Sequence, residues 1–111
     1  MKLTTVEIQE KLKAARDQLY NIAKIWKHYK GGVYRVDDVV FDTAIDDVSI
    51  LYFRIGGPGF DASLEGDILF ARPLNEWFDT IEVDVDGTTH CYQRFIPVKA
   101  VQVTEYREIT E

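Results

Sequence analysis

The chain has 111 residues, 46% hydrophobic and 29% charged, with a formal net charge of -6. That length supports one domain with one small core, and the composition is that of a folded chain. The acidic balance argues against an extended nucleic-acid footprint, apolar runs fall short of the ~20 residues of a membrane span, and the single cysteine, Cys91, precludes an internal disulfide.

The opening "MKLTTVEIQE" turns acidic too early for a secretory signal, and the lone cysteine suits a reducing compartment, so a cytoplasmic location is expected. Thr4 and Glu7 have the spacing of a capping box. Behind them Ile8, Leu12, Ala15, Leu19, Ile22 and Trp26 alternate four and three apart, which predicts an amphipathic helix over residues 1–27. Its stripe either packs on the rest of the domain or forms a seam between subunits; a homo-oligomer, a dimer first of all, is expected.

Beyond Gly32 the period changes to two. "GVYRV" and "VVFDT" read as strands separated by a turn at Asp37-Asp38. "DVSILYFRI" is apolar on both faces, as a central or covered strand requires. A Gly- and Asp-rich loop follows from Gly56 to Asp67. "ILFARP" ends at Pro73, which has no N–H for a ladder, and "LNEWF" reads as one helical turn. "DTIEVDV" and "TTHCYQRF" flank Asp86-Gly87, the residues of a two-residue type I′ hairpin. That turn pairs Val85 with Thr88, Val83 with His90, Ile81 with Tyr92 and Asp79 with Arg94, and brings Phe78 to Phe95 on the opposite face. "VKAVQVTEY" is a final strand. The fold class is mainly β with an N-terminal helix: a small barrel or curled sheet of about six strands over residues 28–111.

No catalytic constellation stands out. Ser49 and Ser63 lack a recognisable base, "GGPGF" opens no helix and carries no lysine, and His90 and Cys91 point to opposite faces of one strand. Neither an enzyme, a cofactor nor a metal site is expected. The acidic pairs Asp37-Asp38 and Asp46-Asp47 read as solvated turns.

The segment "KIWKHYKGGVYRV" is more informative. Lys24, Lys27, His28 and Lys30 sit where the helix is expected to end, cations are favoured there by the helix dipole, and Gly31 suits a helix cap. That account leaves the rings of Trp26, Tyr29 and Tyr34 unexplained. Rings beside cations are what a stacked, anionic ligand needs. Alternation along the chain puts His28 and Lys30 on one side and Tyr29 in the core.

"HYKGGVYRV", "ILYFRI", "ARPLNEWF" and the final "RF" occur in this order over about two thirds of the chain. In these motifs the chain resembles a bacterial and phage family catalogued as domain of unknown function 1653. The resemblance implies an SH3-like β-barrel, brings no established reaction, and suggests a shared site at His28, Tyr29, Lys30, Arg72 and Arg94. The sequence departs from the family pattern at "FDTAIDD", in the long central loop and in the N-terminal helix.

The expected function is a non-catalytic binding module for a small anionic, nucleotide-like ligand, with a groove lined by His28, Lys30, Arg72, Trp77 and Arg94. If the chain is phage-encoded, it would act in the host cytoplasm, sequestering such a ligand. The alternative is a protein–protein interaction or assembly domain with no small-molecule ligand.

Overall fold

The computed structural model describes residues 3–102 and 105–109. Helix α1 spans Thr5–Ile22. The capping box starts it: Glu7 N–H donates to Thr4 Oγ1 at 3.1 Å, and Thr4 N–H donates to the Glu7 carboxylate at 3.0 Å. Ala15 and Leu19 are buried against β2 (Val33–Asp42) and β3 (Asp47–Gly56), whereas Ile22 is exposed. Ion pairs Lys11–Asp47 and Arg16–Asp38 tie the same helix face to the sheet.

The helix ends earlier than its apolar spacing predicts. Ala23 is already extended, and Ile25–His28 forms strand β1. Strand β1 pairs with β2 on one edge and with β7 (Phe95–Gln102) on the other. Two ladders hold more backbone groups than another helical turn would, so tertiary pairing overrides the helical pattern. Trp26 therefore belongs to the sheet, where its Nε1–H donates to Ala23 O at 3.0 Å. The cations of this segment do not cap a helix; α1 has no basic residue in its last turn. Gly31, at φ +105°, closes the β1–β2 turn instead.

Asp37 and Asp38 make no turn. They lie inside β2, where the register with β3 shifts between Val36 and Asp38. Asp38 Oδ1 accepts the Val39 N–H and the Arg16 Nε–H. The bulge changes the strand's phase, so Val36 and Val39, three apart, both reach the core.

After β3 the long loop contains one short helix, α2 (Ala62–Glu65). Strand β4 (Phe70–Pro73) leads directly into α3 (Leu74–Trp77). The hairpin β5 (Thr80–Val85) and β6 (Thr88–Gln93) has the register its turn dictates, with Asp86 and Gly87 both at positive φ. The predicted last strand is two, β7 and β8 (Glu105–Glu108), and Val103-Thr104 between them lie outside the described residues.

The described strands form an antiparallel six-stranded sheet in the order β4-β3-β2-β1-β7-β8 and a separate two-stranded sheet, β5-β6. They number eight rather than about six, and no ladder joins β4 to β8 into a closed ring. The core gathers Ala15 and Leu19 with Trp26, Val36, Val39, Val48, Ile50, Tyr52, Trp77 and Phe95. Phe78 does not meet Phe95 as expected. Phe95 stacks on Trp77, and Phe78 stands edge-on to Trp26 with centroids 5.8 Å apart.

Candidate functional site

Residues directly opposite in an antiparallel ladder share a face. The register therefore places His28 with Phe95, Tyr34 with Arg54, Tyr52 with Phe70 and Ile50 with Arg72. Near Ile50 and Trp77 the shared face is sealed as core. Toward the β1–β2 turn it opens into a cleft of about 450 Å³. Its floor is aromatic: Tyr34, Tyr52, Phe70 and Phe95, the first meeting the other three edge-to-face. Lys30, Arg54 and Arg72 line it, with His28, Gly32 and Pro58, and no carboxylate is among the described lining residues.

The three cations have different duties. Arg54 is committed to its own loop: it donates to the carbonyls of Gly56 and Pro58 and pairs with Glu65 at 3.4 Å. It staples the wall of the cleft to β3. Arg72 is less engaged. Its Nη1 lies 3.4 Å from Glu76, its Nε is buried without a partner among the described residues, and its guanidinium lies over the Phe95 ring. Lys30 is exposed, with Nζ 5.7 Å from the Tyr29 centroid.

His28 is held neutral. Burial, followed by repulsion from Arg72, Arg94 and Lys30, lowers it from the ordinary 6.5 to about 4. Its Nδ1 accepts the Lys30 N–H at 3.2 Å, so the ring proton belongs on Nε2, a donor for an incoming group. The Tyr34 hydroxyl is pushed above its ordinary value, chiefly by burial, and stays protonated. A Cβ on Gly32 would come within 2.8 Å of the Tyr34 ring, so glycine there lets the ring lie down. Gly57, at φ +99°, packs its backbone onto Gly31 and Gly32 and fixes the opposite wall.

Of the residues predicted for the site, His28, Lys30 and Arg72 come together. Trp77 does not line the cleft. It is fully buried beneath, its ring 3.9 Å from that of Phe95. Arg94 is also outside, its Nε and Nη2 donating to the two Asp79 oxygens at 2.7 and 3.2 Å. Tyr29 is half-buried on the other side of His28 rather than in the core. Sequence reasoning missed Arg54, Tyr52 and Phe70. The signal was alternation in "YFR", which puts Tyr52 and Arg54 on one face, once β2–β3 pairing is known.

A family model described as "Protein of unknown function (DUF1653)" matches residues 24–97 of the 111. The chain belongs to that family. The DUF1653 match begins just after α1 and closes inside β7, so it contains every residue lining the cleft, while α1 and β8 fall outside it. No curated protein and no solved structure matches the chain.

Proposed function

We propose that this protein is a non-catalytic binding module for a small anionic ligand carrying a flat ring, of the nucleotide kind. One observation carries the reading: Lys30 and Arg72 line a cleft with an aromatic floor, Arg72 lying over the Phe95 ring, and no carboxylate is among its described lining residues. The floor accepts a ring by stacking or edge contact. Lys30, Arg72 and the His28 Nε2–H supply donors for an anionic group, and each charge-assisted bond is worth about 1.5–3 kcal/mol. The ligand is held and not transformed, and the protein works in the cytoplasm, or in a host's cytoplasm if phage-encoded.

The test is calorimetric titration with mononucleotides and small anions beside native mass spectrometry of protein purified from cells. Lys30→Ala with Arg72→Gln should weaken binding at least about tenfold, the loss of one such bond. A wild-type protein that binds none of these probes and carries no ligand from cells overturns the reading.

A second reading has its own observation. Ile22, Phe78 and Ile109 are exposed around a shallow hollow of about 300 Å³ floored by Trp26 and Phe95. In that reading the protein is an interaction or assembly domain, and the expected dimer forms through this apolar surface and not through the buried Leu19.

A further inference from the structure

The cleft is one of two hollows that share a wall. On the far side of His28 lies a second hollow of about 360 Å³, lined by Lys27, His28, Tyr29, Tyr92 and Glu108 among others. Its rings are ordered. Tyr29 and Tyr92 lie 17° from parallel with centroids 6.3 Å apart, and His90 continues the series 20° from parallel to Tyr92 at 6.2 Å. The edge-to-face contacts of the first cleft make a box; near-parallel faces make a stacking platform. Tyr92 is 43% exposed, so the platform is open to a ligand.

The wall between the hollows carries the connecting chemistry. His28 lines both. Lys30 lines the first and holds its Nζ over Tyr29 of the second. A cation and a neutral N–H donor thus stand between two aromatic sites, where a ligand with two rings would place its bridge. We infer that the site takes a dinucleotide-like ligand, two flat rings joined through a phosphodiester, with one ring in each hollow and the phosphate at His28 and Lys30. The inference rests on the proposed function of the first cleft and extends it. Such a ligand could be a free dinucleotide or the end of a single strand, and the charge distribution favours the free molecule. Glu108 lines the second hollow, so a further phosphate beyond the second ring meets a carboxylate.

The experiment titrates the full chain with adenosine monophosphate, with adenylyl-adenosine bearing a 5′-phosphate, and with a hexamer of the same base. The dinucleotide is expected to bind at least about fivefold more tightly than the mononucleotide, the gain of one stacked base. The hexamer should bind no more tightly than the dinucleotide. Tyr92→Ala should bring the ratio of dinucleotide to mononucleotide affinity close to one, and Lys27→Ala, a second exposed lining residue, should reduce it. Mononucleotide binding with no gain for the dinucleotide overturns the two-ring inference and leaves the single-cleft reading standing. An unchanged ratio in Tyr92→Ala also overturns it. A hexamer bound more tightly than the dinucleotide transfers the site to single-stranded nucleic acid and overturns the free-ligand assignment. Failure of every probe overturns both readings.

Discussion

Trp77 stacks on Phe95 with ring centroids 3.9 Å apart and planes 7° from parallel. Trp77 comes from the single turn of α3 and Phe95 from the start of β7, so the stack joins the two ends of the segment holding the β5–β6 hairpin. One Phe95 face lies on the core, and its ring also lies beneath the Arg72 guanidinium and faces His28 edge-on. The cleft floor therefore stands on a fully buried tryptophan. Trp77→Ala is expected to cost about 3–5 kcal/mol of stability, the range for emptying a large aromatic site. Denaturant unfolding measures this, and a change within the scatter of surface substitutions, about ±0.5 kcal/mol, would mean that the stack does not support the floor.

Arg94 and Arg72 separate structure from binding. The bidentate pair with Asp79 occupies Arg94 at the base of the hairpin. The hydrogen bonds from Arg94, and then its charge, hold the Asp79 carboxyl below the usual carboxylate range. A depressed carboxylate stabilises the fold above its unfolded pKa, and that contribution is lost as pH falls through the lower folded value. Because both side chains are partly exposed, solvent screening limits Arg94→Ala to about 0.5–1 kcal/mol. Its loss of stability should shrink below about pH 4, where Asp79 protonates in the unfolded chain. Mononucleotide affinity should fall in Arg72→Gln far more than in Arg94→Ala; equal losses would place Arg94 in the site.

His28 gives the fold a second dependence on pH. Its folded value, about 4, lies below the ordinary 6.5 because burial and three nearby cations disfavour the charged ring. Between these values the unfolded chain binds a proton that the folded chain refuses, so stability rises with pH across that window and levels off above it. His28→Asn removes this contribution. The melting-temperature difference, wild type minus variant, should therefore increase from pH 4 to pH 6.5 and then stay constant. A difference independent of pH would show that His28 titrates normally in the folded chain.

Local chemistry made several features legible and long-range pairing hid the others. The capping box and the β5–β6 register follow from residues within a few positions of one another, and both stand as the sequence implies. The end of α1 does not, because the competitor to another helical turn is a pair of ladders, one of them to residues about seventy positions away. Arg54 was hidden for the same reason: its neighbour Tyr34 is visible only once the bulge at Asp38 fixes the β2–β3 register. Trp77 and Arg94 looked available because an aromatic ring and a cation are the right types for a groove. Burial and the Asp79 carboxylate decide otherwise.

Two glycines with similar backbone angles should respond differently to alanine. Gly57 has φ +99° and Gly87 has φ +80°. At Gly87 an added Cβ meets nothing within 4 Å, so Gly87→Ala bears only left-handed backbone strain, about 1–2 kcal/mol. At Gly57 the same atom would overlap the Gly31 carbonyl oxygen and approach Gly32 Cα to 2.9 Å, backbone atoms that cannot rotate away. The loop must lift, and it carries Pro58, which lines the cleft, and the carbonyls that receive the Arg54 guanidinium. Gly57→Ala is therefore expected to lose more stability than Gly87→Ala by at least about 1 kcal/mol. It should also weaken mononucleotide binding, whereas Gly87→Ala, at the hairpin tip, should not. Thermal melting and calorimetry on the two variants make the comparison. Equal effects on stability with unchanged binding in both would show that the loop is not held by its contact with the β1–β2 turn.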